Sequence, residues 1–206
     1  MNRNNGSVSG RVALVCGAGR YPGRQIALGL AAAGWQIAAH DLQPLHLEEL
    51  KQEIERHGSA CRTYVGDTGK GLAARALMED VLNDWGRLDL LMYCLQAAPS
   101  ADLLTLDEWD WQRSLEINLS APFLLAQAAV AVMRGQKGGG GVFFVTQPQL
   151  AQSSLSLAAA QAGINGLVGA IASGLLAYNI HSAVFAADQD NIEGIIQQAL
   201  RRIALP

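Results

Sequence analysis

Six short apolar runs recur along the chain, at residues 11–15, 36–40, 61–65, 88–93, 142–146 and 180–185, each bounded by turn-forming residues. They are apolar almost throughout and do not alternate with polar residues, as expected of strands covered by helices on both faces. Between them lie longer stretches of helical period, at 22–33, 45–57, 71–84, 106–134 and 153–177, with a break of the fourth expected near Pro122. An amphipathic piece at 191–203 closes the chain. Strict alternation of strand and helix predicts an α/β fold, a doubly wound parallel sheet with helices on both faces and right-handed crossovers.

No repeat, linker or low-complexity block divides the chain, so residues 1–206 are expected to form one domain. Residues 1–9 read as a polar arm without the apolar segment of a signal peptide, and 191–206 as a shortened C-terminal helix. The glycine run at 138–141 reads as a flexible turn. In such a sheet ligands sit at the carboxyl ends of the strands, near the point where strand order reverses. The informative segments are therefore 16–23, Asp41, Asp67, 94–99, 146–150 and 186–190.

Composition narrows the function classes. Half of the 206 residues are hydrophobic, 16% are charged and the net charge is −3, which gives no electrostatic case for nucleic acid or an anionic membrane surface. Cys16, Cys61 and Cys94 lack metal-ligand spacing and read as reduced core thiols of a cytoplasmic protein. His40, His46, His57 and His181 show no metal spacing either and are expected in solvated or capping positions. Asp107 and Glu108 are expected to start a helix, where acidic residues favour the dipole.

From residue 138 to 187 there is no Asp, Glu, Lys or Arg. A surface helix normally carries charge on its outer face, so a membrane or another protein is expected to cover this region. Residues 155–178 are long enough to span a bilayer. Gln161, Asn165, Ser173 and the many small residues weaken that hydropathy, and no flanking basic residue sets an orientation. Ala158, Ala162, Gly166, Gly169, Ala170, Ser173 and Gly174 suit close helix packing instead, and residues 128–132 extend the same apolar surface. A protein interface is the expectation.

The first strand leads into Cys16-Gly17-Ala18-Gly19-Arg20-Tyr21-Pro22-Gly23. Glycine-rich strand-to-helix turns cradle phosphate with backbone N–H groups. Tyr21 places a phenol ring where backbone would approach the phosphates, and Pro22 removes one N–H, although a proline is tolerated in a first helical turn.

Together, GAGRYPGRQIALGLAAAGWQIAAHD, the Gly66-Asp67-Thr68 triplet, LDEWDWQRSLEINLSAPFLL and QAGINGLVGAIASGLLAYNIHSAVFA resemble the short-chain dehydrogenase/reductase family, from about Arg11 to Phe185. The resemblance implies a Rossmann-like fold, with Asp41 at the adenosine ribose and Asp67 at the adenine. It also implies an active-site Tyr and Lys four residues apart, an Asn and a Ser. Here the Tyr and Lys positions hold Leu157 and Gln161, which can neither exchange a proton nor stabilise a phenolate. Gln147 occupies the Ser position beside Thr146, and of the four groups only Asn118 survives. The family's T-G-x-x-x-G-x-G loop keeps Gly17 and Gly23 but has Tyr21 at its middle glycine. Its Asn-Asn-Ala-Gly reads Tyr93-Cys94-Leu95-Gln96, and its Pro-Gly reads Ala187-Asp188.

The resemblance thus implies a degenerate member, truncated at its C-terminus before a substrate lid and a last strand. No catalytic residue is expected, with Asn118 vestigial. No cofactor is expected in this chain, because Gly17, Gly23, Asp41 and Asp67 are vestigial and Tyr21 and Pro22 block the loop; no metal is expected. A nucleophilic role for Cys94 is disfavoured, since no His lies nearby to activate it. In the family, the helices that match Ala121–Arg134 and the stretch from Ser153 to Ala177 pair across a four-helix interface. The expected partner is an active family member carrying NAD, as in heteromeric hydroxyacyl-CoA dehydrogenases of the benzylsuccinate (toluene) pathway type. Two other readings stand beside this one: an NAD(P)-dependent oxidoreductase with a displaced acid/base group, and a nucleotide-sensing regulator.

Overall fold

The computed structural model describes residues 10–204; the arm at 1–9 and Leu205-Pro206 lie outside the described residues. The chain runs β1 (Val12–Cys16), α1 (Gly23–Ala32), β2 (Gln36–Asp41), α2 (Leu47–Arg56), β3 (Cys61–Val65), α3 (Gly71–Trp85) and β4 (Leu90–Tyr93). It continues through α4 (Glu108–Leu115), a π-helical turn (Glu116–Ser120), α5 (Ala121–Arg134), β5 (Gly140–Thr146), α6 (Pro148–Ala151), α7 (Leu155–Leu176), β6 (Ile180–Ala186) and α8 (Ile192–Ala204). All six expected strands are present, in the order β3-β2-β1-β4-β5-β6 and parallel at every pairing. Because β1 lies between β2 and β4, the order reverses there, and the crevice above β1 is where such a sheet binds ligands.

Local chemistry sets the helix ends. Asp107 caps α4 by accepting the Asp110 N–H at 2.8 Å. Glu48 and Glu49 open α2 and Arg56 closes it, each charge complementing the helix dipole. Gly86 ends α3 in the left-handed conformation that favours glycine.

Two apolar layers cover the sheet. On one face Ile26 and Leu30 of α1, Leu50 and Ile54 of α2, and Ile195 of α8 join one buried cluster with Phe143 of β5. On the other, Leu77 and Val81 of α3, Leu125 and Met133 of α5, and Ile164 of α7 pack against Leu14 and Leu91. The continuous apolar runs of β1 and β4 follow from this, since both are buried throughout, whereas the edge strand β3 exposes Arg62 and Val65. Two helical stretches, Glu108–Arg134 and Leu155–Leu176, are long and apolar enough to cross a membrane by length and composition. Both lie against the second face of the sheet, through Leu125 and Met133 in one and Ile164 in the other.

Several expectations need correction. The break in the fourth helical stretch is the π turn at Glu116–Ser120, upstream of Pro122. Pro122 sits in the first turn of α5, where its missing N–H breaks no bond. Helix α1 starts at Gly23, with Pro22 as its N-cap behind a cis Tyr21–Pro22 bond. The glycine run is half strand: Gly140 and Gly141 belong to β5. A Cβ on Gly139 would lie 1.9 Å from the Asn179 carbonyl oxygen, so close backbone approach explains glycine there better than flexibility does. His40 is buried in β2 and its Nε2 meets the Gly66 carbonyl at 2.9 Å, so it is a core residue and not a solvated one. The short helix α6 has no counterpart in the sequence pattern.

Candidate cofactor cleft

The loop after β1 directs its first N–H groups inward. Gly17 and Ala18 donate to the His40 carbonyl at 2.8 and 3.0 Å, and Gly19 donates to Asp41 Oδ2 at 2.9 Å. A Cβ on Gly23 would stand 2.2 Å from the Gly17 carbonyl oxygen, so α1 can lie this close to the strand end only with glycine there. Tyr21 lines the cavity above the loop, and its hydroxyl is shut from solvent without a hydrogen-bond partner. Burial of the phenol, then the carboxylates of Asp188 and Asp190, push its pKa upward.

The two acidic residues are already engaged. Asp41 accepts Gly19 N–H at one oxygen and Leu42 N–H at 2.7 Å with the other. Asp67 accepts Gly69 N–H at 2.9 Å and pairs with Arg113 at 2.7 Å. Partial burial works to raise the Asp67 pKa, but the Gly69 N–H and Arg113 outweigh it and hold the carboxyl below the usual range. Around Asp41, Tyr21, Gly17 and Arg20 there remains a cavity of about 350 Å³.

The cavity continues past Leu95 and Gln96 to Gln147 and Leu150 after β5, and a separate small pocket lies toward α7. Asn118, Thr146, Leu157 and Gln161 do converge, as their alignment implied, but around a pocket of only about 20 Å³. Leu157 is fully buried. The Asn118 carboxamide is clamped on the loop after β4: Nδ2 donates to the Ala97 carbonyl at 2.6 Å and to Ser114 Oγ at 2.9 Å, while Oδ1 accepts Ala97 N–H at 2.9 Å. The Tyr93 hydroxyl donates to the Ile117 carbonyl at 2.6 Å, a carbonyl within the π turn where the regular helical ladder is interrupted. Burial raises the pKa of Tyr93 and Cys94 far above neutrality, so neither phenolate nor thiolate is accessible. All three cysteines are buried and free.

Sequence reading missed the reach of Gln96. This residue leaves the end of β4 and donates from Nε2 to the Val145 carbonyl at 3.2 Å. Its Oε1 accepts from Gln147 N–H and from Gln161 Nε2, both at 3.3 Å. Its place in the motif was visible, but nothing in the spacing shows how far an unbranched amide extends across three elements.

A parallel six-stranded sheet with a glycine turn at its switch point defines a Rossmann-like fold with a dinucleotide-type cleft. A family model described as short chain dehydrogenase matches residues 11–187, and the chain belongs to that family. It is 34% identical to a D-threitol dehydrogenase of Mycolicibacterium smegmatis over 66% of this chain and 52% of that protein. It is 26% identical to (2S)-[(R)-hydroxy(phenyl)methyl]succinyl-CoA dehydrogenase subunit BbsD of Thauera aromatica, over 80% of this chain and 67% of that subunit. The crystal structure of a metagenomic short-chain oxidoreductase in complex with NADP superposes with a TM-score of 0.86 at 25% identity, covering 97% of this chain and 93% of that one. Against the first two curated relatives, the matched stretch spans about half of their length.

The residues present do not fit a dinucleotide along the whole cleft. Tyr21 lines the cavity over the loop where phosphates would approach, and Leu157 at the inner pocket offers neither a proton nor a hydrogen bond.

Proposed function

We propose that this chain is a non-catalytic short-chain dehydrogenase subunit that assembles with, and stabilises, an active member of the family. The carrying observation is an acid/base centre without a titrating group. Leu157 and Gln161 stand where the family's Tyr and Lys would, and Asn118 is bound up with the backbone of Ala97. General acid/base catalysis needs a titrating group within hydrogen-bond reach of the substrate, and these residues offer none.

A second observation supports the assembly. The small residues Ala158, Ala162, Gly166, Gly169, Ala170, Ser173 and Gly174 are all exposed on α7. An apolar groove of about 340 Å³ runs between α5 and α7, lined by Phe123, Val130, Leu167 and Ile171. A wide uncharged helix face of this kind suits an obligate interface. In this reading the partner uses its own matching helices, carries NAD, and forms a twofold-symmetric two-plus-two tetramer. The likeness to a subunit of a succinyl-CoA-type dehydrogenase supports a heteromeric hydroxyacyl-CoA dehydrogenase of the benzylsuccinate pathway kind. Three reduced, buried thiols agree with a cytoplasmic setting.

The test is to express the chain alone and together with a family member that carries the Tyr–Lys pair, then run size exclusion and NAD titration on both. A shared peak, better recovery on co-expression and no NAD binding by the lone chain are expected. Turnover by the lone chain would identify an enzyme with a displaced acid/base group and overturn the proposal. The open cavity beside Asp41 favours a second reading, a nucleotide-sensing regulator, which predicts saturable binding without turnover.

A further inference from the structure

The sheet has two edges, β3 and β6, and they are built differently. On β3, Arg62 is exposed and pairs with Asp84, a charge of the kind that keeps an edge strand from meeting another. On β6, Ile180–Ala186 holds no Asp, Glu, Lys, Arg or Pro and lies within the charge-free stretch from 138 to 187.

Hydrogen-bond parity shows which groups of β6 are free. In a parallel pair a residue turns its N–H and C=O to the same neighbour, and the next residue turns both away. The Asn179 carbonyl accepts Gly140 N–H at 3.0 Å, and Ala187 N–H donates to the Thr146 carbonyl at 2.7 Å, so the odd-numbered residues face β5. Ile180, Ser182, Val184 and Ala186 therefore turn their main-chain groups to the open edge. Ile180 is fully buried and the Ala186 carbonyl accepts Asn191 Nδ2 at 2.9 Å, which closes the two ends. Ser182 and Val184 between them are half-buried. Because Ser182 Oγ is shut from solvent, the exposure of that residue lies on its main chain and Cβ. Among the described residues, neither main chain has a partner on this side.

We propose that β6 is a like-with-like docking edge, through which two copies of this chain join antiparallel about a twofold axis at Ala183. That axis sets Ser182 of each copy opposite Val184 of the other, and each such pair exchanges two N–H···O bonds. The contact is isologous, so the same short segment supplies both sides. A second copy fits because neither edge brings a charge that repels its twin or calls for an opposite one. The proposal rests on the two-plus-two reading of the assembly: α5 and α7 face the active partner, and β6 supplies the contact between copies of this chain.

The test keeps the two surfaces apart. Gly166→Arg, at a site on α7 where a new side chain meets open space, puts a charge on the helical face. In that background the full chain is expected to sediment at twice the monomer mass. Adding Val184→Pro is expected to return it to the monomer with its thermal melt retained, since Val184 N–H points to the open edge and no bond to β5 is lost. Amide exchange of the Gly166→Arg chain needs no further variant and decides the matter if the proline variant does not fold. As concentration rises through the dimer transition, the Ser182 and Val184 amides are expected to slow by about tenfold or more, while Ala183 and Phe185 are slow throughout. A monomer at every concentration, a dimer that survives in the folded proline variant, or Ser182 and Val184 amides that stay fast would each overturn the proposal. Co-purification of the unaltered chain with a family member carrying the Tyr–Lys pair tests the α5–α7 reading separately, and its failure leaves the β6 result unchanged.

Discussion

The two halves of the cleft differ in what they have kept. On the β1–β2 side the tight turn, the close helix and the acidic residue at the end of β2 all remain, around an open cavity of about 350 Å³. Toward α7 the positions that align with the family's functional groups hold Tyr93, Gln96, Leu157 and Gln161 around a small pocket of about 20 Å³, while Gln96 and Gln147 also line the larger cavity. The retained features are those folding requires. Gly23 must be small for α1 to approach the strand, and Asp41 accepts two backbone N–H groups that would otherwise lack that partner. The altered features had only a ligand to serve, and apolar or amide side chains could replace them and gain packing. Retention of a motif in this family is therefore evidence about the fold before it is evidence about binding.

The sharpest way to break this comparison is Gly23→Ala. In an ordinary helix that change adds stability, but here the new Cβ would meet the backbone oxygen of Gly17 at 2.2 Å. A loss of about 3 kcal/mol is expected in urea unfolding. A neutral result would mean that the glycine is not required by packing. Next is the pair Leu157→Tyr with Gln161→Lys, which puts the family's acid/base residues at the aligned positions beside the small pocket. We expect no NAD-dependent turnover with simple alcohols, and a stability loss of about 2 kcal/mol, because a phenol overfills a buried leucine site. Turnover in this variant would show that the far half still admits cofactor.

Asn118→Ala probes whether the one surviving active-site residue is structural. It strips partners from both Ala97 N–H and the Ala97 carbonyl, so chemical denaturation should show a loss of about 1–2 kcal/mol. A change of a few tenths would leave Asn118 without a role in the fold. The smallest effect concerns the retained side at the end of β2. Burial lowers the His40 pKa, against the Gly66 hydrogen bond and nearby Asp41 and Asp67, which work to raise it. The unfolded chain therefore binds more protons below the ordinary histidine pKa. The stability contributed by neutral His40 is present above about pH 6.5 and declines as pH falls through the folded pKa, by at most about 1.4 kcal/mol per pH unit. Denaturation midpoints at pH 7.5 and 5.5, compared with His40→Asn, check this; a parallel fall in the variant would assign the effect elsewhere.

Much of the fold was legible because buried parallel strands leave an unmistakable pattern. The runs ending at Cys16, Tyr93 and Thr146 are apolar nearly throughout, those ending at Asp41, Val65 and Ala186 less so, and each precedes a segment of helical period. The π turn was not legible, since Glu116–Ser120 carries ordinary helical residues and a proline two positions later draws the eye downstream. His40 reads as polar in sequence, and only its place in β2 beside the Gly66 carbonyl makes it a core residue. At the site, the absence of titrating groups at Leu157 and Gln161 could be read directly from residue type. The pairing of Asp67 with Arg113 could not, because it joins residues brought together by crossover connections.

The sequence by itself determined the doubly wound architecture, the presence of Leu and Gln at positions 157 and 161, and the charge-free stretch that forms α7. Each of these depends on local period or on the chemistry of single side chains. Only the tertiary structure decided how the side chains after β4 meet β5 and α7. Gln96 reaches Val145, Gln147 and Gln161, which lie 49, 51 and 65 residues further along the chain. Such reach is a property of distances in the folded state, and no residue pattern encodes it until the sheet has set those distances.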